Sequence, residues 1–288
     1  MSAIRYLCAA LLLLASLFAA PTPARAETFN TCAGFIDTVP ATITTQGTWC
    51  LRHDVTTAIT TGNAITIATN NVTIDCNDFK LGGLQAGVGT TAIGIYATDR
   101  LNVTVRHCGI RGFYYGINLT GTGGGHLVED NRFDGNTRYG LFVIGDGSLV
   151  QRNRVNTTGG STATPGEAYG IFTQYGVDVM SNSVDGVAPA ANGGNGSAYG
   201  IYTDSNVSGS LIGNRVRGLA PVGGNGFGYG ILNAFSARIS LRGNDIVGPG
   251  FVPIYCGSAA GSAKDNIMNG FTAGLSNCTD DGGNVVKP

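Results

Sequence analysis

Residues 169–186 read YGIFTQYGVDVMSNSVDG, and the same frame returns along most of the chain. Tyr169-Gly170-Ile171 recurs as Tyr115-Gly116-Ile117, Tyr139-Gly140-Leu141, Tyr199-Gly200-Ile201 and Tyr229-Gly230-Ile231, with weaker copies at Gly94-Ile95, Pro253-Ile254 and Gly274-Leu275. Behind the copies runs an apolar-x-x-Asn-x-apolar-x-Gly motif. Its Asn column is Asn131, Asn153, Asn182, Asn214, Asn244 and Asn266, with Cys108 in the same place one coil earlier. Val128, Val150, Val179, Leu211, Leu241 and Ala263 stand three residues before the Asn; Phe133, Val155, Val184, Val216, Ile246 and Met268 stand two after it. Agreement in so many columns identifies a solenoid.

Its type follows from the content of each repeat. Short β-branched runs of alternating polarity are broken by Gly and Asn, and no stretch keeps a helical period. A coil of about 22 residues cannot bury a face alone, whereas stacked coils share one core. Stacking at roughly 4.8 Å pairs every strand in parallel with its copies above and below. The Asn column suits an internal amide ladder, and Asn also tolerates the left-handed conformation of a sharp bend. A β-propeller would need blades of about 40 residues, which this repeat does not reach.

Over roughly residues 70–278 the pattern resembles the pectate-lyase-like superfamily of right-handed β-helices. Asn71-Val72-Thr73-Ile74-Asp75-Cys76 and Asn102-Val103-Thr104-Val105 look like first coils of such proteins. The expectation is an all-β chain, a single right-handed parallel β-helix of about nine coils with an N-terminal disulfide-stapled cap. Residues 27–64 form the expected cap, 65–278 the coils and 279–288 a tail. Cys76 and Cys108 fall at nearly equivalent points of consecutive coils, as do Cys256 and Cys278, so each pair should be within disulfide reach. Cys32 and Cys50 then staple the cap.

Outside the repeat, Arg5, the apolar run Leu7 to Ala20 and Ala24-Arg25-Ala26 read as a signal peptide over 1–26, cleaved after Ala26. The expected location is secreted or periplasmic, with no membrane association after cleavage, as a monomer. Six of seven cysteines survive cleavage, and an even count in an exported chain favours disulfides over metal or redox chemistry. Seventeen basic residues less Arg5 and Arg25, against 18 acidic ones, leave a formal charge of −3. Such a balance argues against nucleic-acid binding, which rests on excess basic charge.

Chemistry is sought beside the Tyr-Gly strands. Residues 158–168, 187–198 and 219–228 lengthen three coils, and the last two share Gly-Gly-Asn-Gly at 193–196 and 223–226. Stacked coils must stack these loops into a wall, a common setting for binding. If Ile117, Leu141, Ile171 and Ile201 point inward, the outward column reads Tyr96, Asn118, Phe142, Phe172, Tyr202, Leu232 and Tyr255. Such an aromatic file can stack on sugar rings, or it can form a satellite core under the loops; the Tyr of Tyr-Gly reads as a corner stack. Gln174 and Asp204 lie two residues further along this face.

The resemblance implies a polysaccharide site on this strand face and its flanking loops. It also implies catalytic signatures that the sequence lacks: no Asn-Thr-Asp, Gly-His-Gly, Arg-Ile-Lys or Arg-x-Pro-x-x-Arg occurs. Isolated candidates remain. Asp204, Glu167 and Asp146 are carboxylates near the face, of the type a glycosidase pair needs, and Arg138 or a Tyr could serve as the base or charge neutraliser of a lyase. Arg132, Arg154 and Arg215 form a column beside the Asn ladder, with Asp130, Asp134 and Asp185 close, and read as a balanced surface. His53, His107 and His126 occupy unrelated coil positions, so no metal centre is expected. No cofactor is expected; calcium is the ion the resemblance leaves room for, though no acidic cluster marks a site. Two readings stand: a polysaccharide-recognising protein acting as lyase, hydrolase or epimerase, and a non-catalytic glycan-binding or structural β-helix.

Overall fold

The computed structural model describes residues 31–204, 208–235, 238–257 and 261–288; the signal peptide at 1–26 and residues 27–30 lie outside the described residues. Cys32–Pro288 is one compact unit. Each coil contributes one strand to each of three parallel sheets; apart from Gly34–Phe35, which pairs with Gly47–Cys50 two strands on, neighbours in a sheet are three strands apart in the chain. One coil runs Leu127–Glu129 in sheet I, turns at Asn131, continues as Arg132–Asp134 in sheet II, and returns as Tyr139–Ile144 in sheet III. The sheets hold 11, 10 and 10 strands respectively.

The core is a set of columns stacked in register. Val128 of sheet I lies over Val105 and under Val150, Phe133 of sheet II between Ile110 and Val155, and Leu141 of sheet III between Ile117 and Ile171. All nine are fully buried. Burying such a side chain contributes about 1.5–3 kcal/mol, set against the conformational entropy of ordering each coil.

The coils reach past 65–278 at both ends. Gly34–Phe35, Ala41–Ile43 and Val55–Thr56 are the first strands of sheets I, III and II, so the stapled cap is itself made of sheet strands. At the other end Thr279–Asp280 and Val285–Lys287 close sheets I and II, so the segment expected as a tail joins the stack. Parallel pairing uses the backbone, and these segments lack the side-chain pattern that marks the inner coils. The cysteines pair as expected: Cys32–Cys50, Cys76–Cys108 and Cys256–Cys278, with Cα separations of 5.8, 4.7 and 5.1 Å.

Tyr-Gly has a spatial cause. A Cβ on Gly170 would lie 2.6 Å from the carbonyl oxygen of Gly200, and Gly94, Gly116, Gly140 and Gly200 make the same close approach to the next coil's glycine. The backbones of successive coils approach there too closely for a side chain to fit between them.

The Asn column is a buried ladder. Each Nδ2 donates to the Oδ1 of the next Asn at 2.9–3.1 Å, from Asn131 through Asn153, Asn182, Asn214, Asn244 and Asn266 to Asn284. Each Nδ2 also donates to a carbonyl of the coil below, Val150 in the case of Asn182. Asn284 extends the column past the repeat read from the sequence. The left-handed residue of the bend is the one before the Asn: Asp130, Arg152, Ser181 and Asp265 have φ of 54–57°. The ladder Asn is therefore selected by its amide; the left-handed φ expected of it belongs to its neighbour.

His126 lies at the turn from sheet III to sheet I and is 2% exposed. Its Nδ1 accepts the Val103 N–H at 3.3 Å, and burial lowers its pKa to about 4. An unfolded chain takes up this proton below pH 6.5, the folded chain only near 4. Stability from this group is therefore intact above pH 6.5 and falls as pH drops from 6.5 to 4, by roughly 3 kcal/mol in total. Urea unfolding at pH 7.5 and 4.5 should show that loss in the parent and not in His126→Asn. Equal pH sensitivity in the two proteins would refute the assignment.

Candidate functional site

The outer face of sheet III carries two aromatic files. Tyr96, Asn118, Phe142, Phe172, Tyr202, Leu232 and Tyr255 occupy one register position on successive strands. The five aromatic rings of this file are half-buried, while Asn118 and Leu232 are 9% and 8% exposed. The Asn118 Oδ1 is buried without a hydrogen-bond partner. An unpaired buried acceptor of this kind costs about 1–3 kcal/mol.

Beside it stand Tyr115, Tyr139, Tyr169, Tyr199 and Tyr229. Their ring centroids are 4.3, 4.8, 4.6 and 5.8 Å apart, and successive planes lie within 9° of parallel. This is the corner stack expected of Tyr-Gly. Its rings also meet the outer file: Tyr169 is edge-on to Phe172 at 5.2 Å and Tyr199 to Tyr202 at 5.4 Å. Sugar-sized apolar surface and satellite packing therefore coexist on this face. Phe142 and Phe172 keep part of their surface while leaning on the tyrosines.

Burial pushes the phenols of Tyr139 and Tyr169 up, and that of Tyr202 up to about 12, where burial acts first and Asp204 adds to it. These hydroxyls are protonated near neutral pH. They can donate to an acceptor and are poor general bases.

The expected polar candidates fall at opposite ends of the strands. Arg138 donates to Glu167 Oε2 at 2.9 Å and to the Tyr114 hydroxyl at 2.9 Å, which in turn meets Thr164 Oγ1 at 2.6 Å. Its guanidinium also lies 5.4 Å from the Tyr139 ring centroid. Gln174 Nε2 donates to Asp204 Oδ2 at 3.2 Å at the far end. Glu167 opposes Ser197 and Thr173 opposes Thr203. At the strand rise, Glu167 and Asp204 are thus on the order of 20 Å apart, well beyond the roughly 5–9.5 Å span of a glycosidase pair. Asp146 is exposed on the turn beyond the Tyr139–Ile144 strand, at the same end as Gln174 and Asp204, since Ile144 opposes Gln174.

The long loops stack in register. Gly166 N–H donates to Ala190 O at 2.8 Å, Gly196 and Val222 exchange two bonds at 2.8 Å, and Asn225 N–H donates to Asn195 Oδ1 at 3.0 Å. Between them is a cleft of about 370 Å³ lined by Glu167, Asn192, Asn195, Ser197 and Asn225. Tyr114 and Thr164 carry no signal in the sequence, because their contact spans 50 residues and no repeat column contains it. Among the described residues no group of three or more His, Cys, Asp or Glu side chains is placed to hold a metal, and no helix is long and apolar enough to cross a membrane.

Residues 44–216 match the family model described as right handed beta helix region. No curated protein matches the sequence. Among solved structures, the Dettilon tailspike protein aligns with a TM-score of 0.54 at 15% identity, over 88% of this chain and 60% of its own. A mannuronan C-5 epimerase A-module from Azotobacter vinelandii aligns with a TM-score of 0.51 at 12% identity, over 89% of this chain and 75% of that one. The chain thus spans less than two thirds of the tailspike. At these identities the shared property is the fold.

Proposed function

The chain belongs to the right-handed β-helix family, and from that premise we propose that it is an exported polysaccharide-recognising protein whose binding surface is the outer face of sheet III. The aromatic file carries this reading. A rigid stack offers one half-exposed ring per coil from Phe142 to Tyr202, an arrangement that favours an extended ligand with repeated apolar faces. The phenol hydroxyls and the amides of the loop cleft supply polar contacts of the kind that orient a sugar. Export is supported by three disulfides, which persist in oxidising compartments, and by the leader with cleavage after Ala26. A monomer without cofactor is the simplest form of this reading.

Binding is favoured over catalysis because Arg138 is engaged by Glu167 and Tyr114, and Asp204 stands far from both. The test is retention of the purified 27–288 chain on a panel of neutral and acidic polysaccharides, with Tyr202→Ala and Tyr255→Ala as probes. At least one polymer should bind, and each substitution should weaken it by roughly tenfold, the scale of one lost ring contact. Folded protein that binds nothing on the panel, or variants that bind a confirmed ligand unchanged, would refute the reading. Release of reducing ends from the bound polymer would make the protein an enzyme.

A further inference from the structure

A second surface lies on sheet II, beyond the Asn corner and apart from the aromatic file. Lys80, Gly109, Arg132, Arg154, Ser183 and Arg215 occupy one register column on successive strands. The column beside it is self-neutralising: Arg111 faces Asp134 at 3.8 Å and Arg217 meets Asp185 at 2.8 Å. Arg132 and Arg154 differ. Both are exposed, and among the described residues neither meets a carboxylate or any hydrogen-bond acceptor.

The nearby acids are already engaged. Arg152 holds Asp130 through two bonds, at 2.9 and 2.8 Å, and also bridges Glu129. Asp134 accepts from Thr157 Oγ1 at 2.7 Å. Gly109 and Ser183 leave low ground on either side of the arginine pair. The pair borders a cleft of about 370 Å³, which His107, Asn131 and Asp78 also line. Asp78 lies on the turn before Lys80, two strands from Arg132 in the register, and among the described residues no ion pair joins it to either arginine.

Two unpaired guanidiniums one strand apart cost repulsion that an oxyanion between them would remove, with charge-assisted bonds in its place. Weaker cationic places continue the file: Lys80 is 3.7 Å from Asp54, and Arg215 is 3.3 Å from Asp245. From these observations we propose that the Arg132–Arg154 file binds a linear acidic polysaccharide, laid along the coil axis with carboxylate or sulfate groups over the arginine pair. The site is independent of sheet III and goes beyond the glycan reading given for that face.

The test is calorimetric titration of the 27–288 chain with oligouronate, sulfated dextran, neutral dextran and inorganic sulfate at about 50 and 200 mM salt. Both acidic polymers, or one of them, should bind more tightly than neutral dextran and inorganic sulfate; which one is preferred assigns carboxylate or sulfate ester. Arg132→Gln/Arg154→Gln should weaken that binding by roughly tenfold or more at the lower salt and flatten its salt dependence by about two ions. Arg154→Lys, which keeps the charge, should retain most of it. Tyr202→Ala/Tyr255→Ala should leave the salt-sensitive, arginine-dependent part of acidic-polymer binding intact, so failure here is separable from failure of the aromatic site. Acidic polymers binding no better than inorganic sulfate, or a double arginine variant that binds like the parent, would overturn the proposal. So would a loss confined to the tyrosine variant.

Discussion

Asn182→Ala should destabilise the protein by about 3–6 kcal/mol, measured by urea unfolding at neutral pH. Asn182 Oδ1 accepts the backbone N–H of Asn153 at 2.9 Å and its Nδ2 at 3.0 Å, and Asn182 Nδ2 donates to Val150 O at 2.9 Å. Removing the amide leaves those three partners without it in a buried column, and each unsatisfied group costs about 1–3 kcal/mol. Asn214 Oδ1 keeps the Asn182 backbone N–H, so the damage is local to one rung. The same change at Asn284 is the control. That residue is half-buried at the end of the ladder, where water can replace the lost bonds, so the loss there should be about 1 kcal/mol. Equal losses at the two rungs would show that burial does not set the ladder's contribution.

Replacing Cys76 and Cys108 together by Ala should remove about 3–4 kcal/mol. The bridge closes a loop of sequence separation 32, and cross-linking acts mainly by restricting the unfolded chain. Both positions are essentially fully buried, and the Cys108 N–H keeps its bond to Asn131 Oδ1 at 3.0 Å, so the rung should persist. The bridges Cys32–Cys50 and Cys256–Cys278 close spans of 18 and 22. By the same logarithmic dependence they should contribute about 0.3–0.5 kcal/mol less. Unfolding of the double variant in urea, compared with the parent under non-reducing conditions, measures the difference. A loss below about 1 kcal/mol would place the effect of the bridge elsewhere than in chain entropy.

Much of this molecule was legible in one dimension because its contacts are repeated between nearest coils. Aligning the Tyr-Gly and Asn columns on paper is equivalent to stacking the coils, so the core columns, the outward file from Tyr96 to Tyr255 and all three cysteine pairings were readable from residue order alone. The ends were less legible: the strands flanking the coils join through backbone pairing, which leaves no side-chain signature, and Asn284 extends the amide ladder from a segment with Asp281 where the repeat has an apolar residue. The left-handed residue of each bend stands one place before the Asn, since backbone φ is decided by the path of the turn.

The remainder depends on distances that residue order does not carry. Arg138 and Glu167 meet only because a long loop returns the chain beside the previous coil, and Tyr114 and Thr164 meet across 50 residues for the same reason. Asp204 is held away from Glu167 because it sits at the far end of the neighbouring strand. Arg132 and Arg154 looked neutralised in sequence, with acids on every side. In three dimensions Asp130 is claimed by Arg152 and Asp134 lies by Arg111. A column of identical charges records the register, but which charge finds a partner is a short-range competition settled by side-chain geometry in the folded chain.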